Sequence, residues 1–156
     1  MDFKEFVIKE EIKKKYVLDA SVIIKWYYVE NESELEIARF FYNKVFNNEI
    51  LIAAPDLMVY EVLNFFIFKL EIPSEKVSKI LSELNEILFI INTDESIQMK
   101  AFKISRKIKK SLYDSLYISL SELLQCPLIT ADFKLSMDAK TGGYDVLLLS
   151  EFRSLF

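Results

Sequence analysis

Histidine is absent from the chain. That absence removes Ser-His-Asp and Cys-His catalysis, histidine-pair nuclease chemistry and histidine metal sites. An enzyme of this composition working near neutral pH must use carboxylates, hydroxyls, lysines or a carboxylate-bound metal. A single cysteine, Cys126, excludes an intramolecular disulfide framework and any zinc site built on several thiolates. It stands before Pro127 at the end of an apolar segment and reads as a buried structural thiol. Two glycines and three prolines are too few for a many-turned all-β fold, so helices with short connections are expected. No apolar run approaches the roughly 20 residues of a membrane span. Residues 1–15 carry acids and no continuous apolar segment of signal-peptide type, so a cytoplasmic location is expected. Basic excess is lacking as well: the net charge of −4 argues against nonspecific coating of nucleic acid, while allowing a local basic patch.

What is present is a chain of 156 residues, 52% hydrophobic, enough for one domain (1–156) with a sizeable core. It is organised around Lys15-Tyr16-Val17-Leu18-Asp19-Ala20-Ser21. The apolar run 16–18 predicts a buried strand ending on the carboxylate of Asp19. Strand ends of this kind face the ligand crevice of open α/β sheets. Ahead of it, residues 2–14 predict a short amphipathic helix or arm, an N-terminal extension over about 1–14. Further strands are expected at 50–53, 88–91, 128–130 and 146–149. Helices are expected at 22–28, 32–48, 57–70 and 75–87, then from Asp94 to the basic run near 110, at 112–122, and for one turn at 134–137. Alternation of this kind predicts an α/β fold, a three-layer α/β/α sandwich around a central, mainly parallel five-stranded sheet.

Four carboxylates stand out against this pattern. Asp19 and Asp132 lie at or just past strand ends, Glu61 inside an apolar helix, and Asp114 near the start of another. Charges on apolar segments are costly unless paired or bound to a metal, and clustered oxygen ligands suit Mg²⁺ or Mn²⁺. Each Asp also has a structural alternative. Asp19 is suited to capping the helix expected after it, Asp114 to a helix N-terminus and Asp132 to the turn at Phe133. Asp56, Asp94 and Asp138 are assigned to caps or solvent. Glu61, flanked by Val59, Tyr60, Val62 and Leu63, is the hardest to explain structurally; Asn64 lies on the same helical face. Singly, the structural reading is favoured for each Asp. As a group, the metal-site reading is favoured.

The pieces Val17-Leu18-Asp19-Ala20-Ser21, Pro55-Asp56-Leu57 leading to Glu61-Val62-Leu63-Asn64, Tyr113-Asp114-Ser115-Leu116-Tyr117 and Leu128-Ile129-Thr130-Ala131-Asp132 occur in one order over most of the chain. In that order and spacing the chain resembles the PIN domain family, and most of all the VapC-type toxins of prokaryotic toxin–antitoxin pairs. The segment before Tyr16 departs from the family pattern. The resemblance implies a metal-dependent endoribonuclease, with Asp19, Glu61, Asp114 and Asp132 as catalytic and metal-holding residues and Mg²⁺ or Mn²⁺ as cofactor. Ser21, Asn64 and Thr130 match supporting polar positions. It further implies an RNA substrate, a small antitoxin partner and a homodimer. Trp26, Tyr28, Phe65, Phe66 and Phe68 offer apolar surface for such partners, or core.

The basic run Lys103, Arg106, Lys107, Lys109 and Lys110 has two readings held equal: a track for RNA phosphates, or a solvated helix end whose charge suits the helix dipole. Trp26, Tyr27 and Tyr28 suit base stacking, though packing is preferred. Two further functions stay open: a non-catalytic PIN-like RNA-binding or assembly module, and an RNA-processing nuclease without an antitoxin. Haloacid-dehalogenase-like phosphatases and receiver domains fit less well. Ser21 stands where the former want a second Asp, and no acidic pair precedes Asp19 as the latter require.

Overall fold

A computed structural model describes residues 13–29 and 34–155; the side chains of 153–155 are outside that description, as is most of the helix or arm expected at 2–14. Strand β1 (Lys15–Leu18) is followed by the short helix α1 (Ala20–Ile23), a 3₁₀ turn (Ile24–Trp26) and α2 (Leu35–Phe46). Then come β2 (Leu51–Pro55), α3 (Leu57–Ile67), α4 (Ser74–Ile87) and β3 (Phe89–Ile91). The second half holds α5 (Glu95–Ile108), α6 (Leu112–Leu124), β4 (Leu128–Thr130), α7 (Phe133–Thr141) and β5 (Val146–Leu148), before a closing 3₁₀ segment (Leu149–Leu155).

All five strands pair in parallel, in the order β3-β2-β1-β4-β5. The expected sheet, mainly parallel, is wholly so among the described residues. Each neighbouring pair needs a crossover helix, and right-handed crossovers place helices on both faces. The central strands are therefore buried on both sides, which is why Val17, Leu18, Ile52, Ala53, Ala54, Leu128 and Ile129 read as unbroken apolar runs. Helix α6 lies across β1, β2 and β4 and packs along α5. Phe41 of α2 meets Tyr16 and Phe152 edge-on, with ring centroids 5.4 and 5.2 Å away.

Three helices differ from expectation. The one expected at 57–70 ends at Ile67, where Phe68 leaves the helical conformation. The helix expected at 22–28 is one turn of α-helix that tightens into 3₁₀, because consecutive β-branched Val22, Ile23 and Ile24 crowd one another's rotamers. The single turn expected at 134–137 is longer, Phe133–Thr141. Asp132 Oδ1 accepts from Leu135 N at 3.0 Å, starting the helix, and burial of Leu135, Ser136 and Ala139 carries it on to Gly142.

Strand order decides where a site can lie. From β1 the chain steps outward to β2 and β3, then returns to β1's other side for β4 and β5. The order reverses between β1 and β4, and their carboxyl ends open a crevice there.

Candidate active site

The β1–β4 register aligns Leu18 with Ile129, so Asp19 and Thr130 emerge side by side at the strand ends. The Asp19 amide donates to the Ile129 carbonyl at 3.0 Å, extending the ladder by one bond. Asp19 occupies the N-cap position of α1 but makes no side-chain capping bond. The helix-capping alternative is therefore not the one its carboxylate adopts.

The carboxylate accepts two hydrogen bonds on Oδ2, from Thr130 Oγ1 at 2.7 Å and Ser21 Oγ at 2.8 Å. The two hydroxyls also accept bonds of their own. Thr130 Oγ1 accepts from the Asp132 amide at 3.1 Å, and Ser21 Oγ accepts from the Ala131 amide at 3.1 Å. Each hydroxyl keeps its one hydrogen to donate, and the Asp19 carboxylate, at 2.7 and 2.8 Å, is a nearer acceptor than the other hydroxyl at 3.5 Å. Burial pushes the Asp19 carboxyl up from its ordinary value, the two hydroxyls oppose this, and the nearby Asp114 charge adds to the rise.

The other acids arrive from separate elements. Asp56 accepts from Leu57 N at 3.1 Å and from Thr93 Oγ1 at 2.9 Å, anchoring the start of α3. That helix brings Glu61 and Asn64 to the crevice. Ser111 caps α6 by accepting from the Asp114 amide at 3.1 Å, placing Asp114 in the first turn. Asp132 reaches in from α7's start with one oxygen committed to its cap, and is the most exposed of the four. Together Asp19, Ser21, Glu61, Asn64, Asp114 and Asp132 line one cavity of about 390 Å³, with Ala20, Ile24 and Phe65. A larger cavity, about 700 Å³, opens beside the α3–α4 junction, but its lining is apolar apart from Lys69 and two serines and offers no carboxylate.

Electrostatics follow from crowding like charges in a partly dry cleft. Burial, then the Asp19 charge, pushes Glu61 up to about 7. Burial also raises Asp114, with Ser111 and Lys110 opposing and Asp132 adding. Glu61 Oε1 is sealed from solvent without a hydrogen-bond partner, and so is the hydroxyl of Tyr117. A buried unpaired polar atom typically costs about 1–3 kcal/mol and calls for a physical reason.

Among the described residues no three acidic, histidine or cysteine side chains are drawn together as a ready-made ion cage. The donor set nonetheless fits a hard divalent cation. It is all oxygen, it carries more negative charge than the cleft can comfortably hold, and Glu61 keeps an orphaned oxygen.

The basic run divides. Lys110 pairs with Asp138 at 2.6 Å, and Lys107 donates to the Gly142 carbonyl at 2.8 Å while lying over the Tyr144 ring. Arg106 lies 4.3 Å from the Phe102 ring centroid, and Lys103, Arg106 and Lys109 are exposed. None of the five lines the acidic cavity. The aromatics after β1 pack. Trp26 Nε1 donates to the Ala38 carbonyl at 2.8 Å, Tyr27 to Glu83 at 2.6 Å and Tyr28 to Glu71 at 2.8 Å. Phe66 is core, whereas Phe68 is 78% exposed. Asp94 caps α5 through Ile97 N, as assigned, and Asp138 pairs with Lys110. Tyr117, fully buried close to Asp19 and Glu61, has no role assigned from the sequence. Its spacing of three from Asp114, on one helical face, was the available signal.

A parallel α/β domain with four carboxylates lining one cavity at its topological switch point is the class these features define. Residues 16–138 match the PIN domain family, and the chain belongs to it; members of this family are typically nucleases. No curated protein sequence matches the chain. Among solved structures it is similar to PAE2754 from Pyrobaculum aerophilum (TM-score 0.64, 15% identity, 93% of this chain and 92% of that one). It is also similar to a toxin–antitoxin complex from Klebsiella pneumoniae (0.63, 16%, 86% and 97%). FitAcB from Neisseria gonorrhoeae shares the fold as well (0.61, 14%, 85% and 95%). Among the described residues no helix is long and apolar enough to cross a membrane.

Proposed function

We propose that the protein is a Mg²⁺- or Mn²⁺-dependent endoribonuclease, acting as the toxin of a toxin–antitoxin pair. The observation that carries this reading is the convergence of Asp19, Glu61, Asp114 and Asp132 on one cleft at the β1–β4 switch point. Those four carboxylates would hold the cation, which neutralises charge on the scissile phosphate and acidifies water near neutral pH. Asp19, fixed by Ser21 and Thr130, gives the most rigid anchor. Glu61, which reaches the same cleft from α3, would orient the attacking water. In-line attack forms the new P–O bond as the water releases a proton to solvent, and breaks the bond to the 3′-oxygen, which takes up a proton from solvent, leaving a 5′-phosphate and a 3′-hydroxyl. Exposed Lys103, Arg106 and Lys109 would bind flanking phosphates, while Lys107 and Lys110 hold the end of α5 in place and Lys110 tempers the charge of Asp114. No histidine is needed. Membership of the family supports nuclease chemistry, and the solved toxin–antitoxin complex of like fold supports an antitoxin partner. Exposed Tyr60, Ile67, Phe68 and Leu70 on and just after α3 suit that partner or a homodimer.

The test is cleavage of a mixed structured and single-stranded RNA pool with Mn²⁺, Mg²⁺ or EDTA, beside Asp114→Asn. The expected result is metal-dependent cleavage that leaves 5′-phosphates and is lost in a folded variant. Full activity of Asp114→Asn overturns the site. No cleavage together with no Mn²⁺ binding by calorimetry assigns the domain to binding or assembly instead.

A further inference from the structure

We infer that Tyr117 is a positioning residue for the metal site: its hydroxyl is the donor that fixes the Glu61 carboxylate, through Oε1, toward the cleft. This rests on the metal-site reading above. Three side-chain atoms among the described residues are buried without a partner: Glu61 Oε1, Tyr117 Oη and Ser115 Oγ. Two of the three meet at one place. Tyr117 is fully buried on α6, one turn beyond Asp114, and its hydroxyl feels the charges of Asp19 and Glu61. A tyrosine at neutral pH can donate one hydrogen, and an ionised carboxylate can only accept. The pair is complementary and the two groups adjoin, the contact lowering the pKa of Glu61 and raising that of Tyr117, without the full geometry of a hydrogen bond.

A carboxylate that holds a cation needs its orientation fixed by a donor outside the cleft, and the Tyr117 hydroxyl is the unpartnered donor beside Glu61. Tyr117 would then hold Oε1 from below while the rest of the carboxyl group faces the cleft. Asp19 is held in the same manner by Thr130 and Ser21. Groups that orient metal-holding side chains typically contribute 10–100-fold to metal affinity.

The experiment is Mn²⁺ titration by calorimetry of the wild type, Tyr117→Phe, Glu61→Gln and the double variant, with thermal melts of each without metal. Phenylalanine removes one unpartnered oxygen, so the metal-free Tyr117→Phe protein is expected to melt no lower than wild type. Its Mn²⁺ affinity is expected to fall roughly 10–100-fold. Adding Tyr117→Phe to Glu61→Gln is expected to change affinity little further, because the tyrosine acts through Glu61. Wild-type affinity in Tyr117→Phe overturns the inference and leaves Tyr117 as core, and so does an equal loss in both backgrounds. A wild-type protein that binds no Mn²⁺ overturns the metal-site reading itself and takes this inference with it.

Discussion

Asp19 accepts from two hydroxyls on one oxygen, and each of those hydroxyls in turn accepts from a backbone amide just past the β4 end. Thr130 is therefore more than a strand residue. Thr130→Val keeps the shape and removes one donor from Asp19 and the acceptor of the Asp132 amide. The expected outcome is a loss of about 1–3 kcal/mol in stability and a drop in Mn²⁺ affinity of roughly 10–100-fold. Thr130→Ser, which keeps the oxygen, should retain both. Denaturant midpoints and calorimetry check this. At this scale the acids were legible because a carboxylate closing a short apolar run, or sitting inside an apolar helix, is costly and so conspicuous. Tyr117 was not legible. Tyrosine between Leu116 and Ile118 reads as core, and only the three-dimensional meeting of its hydroxyl with Glu61 distinguishes it.

Helix α5 ends where Lys109 adopts a left-handed conformation, with φ at 57°. The chain turns there, and Lys110 returns to Asp138 while Lys107 reaches Gly142. Five basic residues in a row of eight look equivalent in sequence, because the partners that engage two of them lie about 30 residues away. The strands, by contrast, were legible nearly to the residue, since burial on both faces leaves unbroken apolar runs. Helix α7 was underestimated because its drive comes from a cap and from small buried residues rather than an apolar stripe. The division of the basic run yields a prediction. If Lys103 and Lys109 contact RNA phosphates, Lys103→Ala and Lys109→Ala should each flatten the salt dependence of RNA binding by about 0.7 in log–log slope. Melting should be unchanged. Lys107→Ala, which cuts a tie to Gly142, should lower stability and leave the slope nearly intact. Anisotropy titrations of a labelled RNA over a salt series, with Asp114→Asn to prevent cleavage, measure these slopes.

Across the whole molecule, the cleft sets stability against readiness to bind a cation. Glu61 holds its proton more tightly in the fold, at about 7 against an ordinary 4.5. Asp19 and Asp114 are shifted in the same direction. From roughly pH 4.5 to 7 the folded chain therefore binds more protons than the unfolded chain does, so metal-free stability falls as pH rises through that window and levels off above it. A cation needs these groups ionised, so its stabilising effect runs the opposite way and grows as pH passes 7. Saturation at about 100 times the dissociation constant corresponds to roughly 2.7 kcal/mol, or several degrees of melting temperature for a domain of this size. Melts at about pH 5.5 and pH 8, each with Mn²⁺ or EDTA, separate the two effects. With EDTA the protein should melt lower at the higher pH, and Mn²⁺ should raise the melting temperature by several degrees at pH 8 and little at pH 5.5. An equal Mn²⁺ effect at both values would mean that the cation binds carboxylates other than these. A metal-free protein that gains stability across the window would mean that Glu61 is not held protonated by the fold.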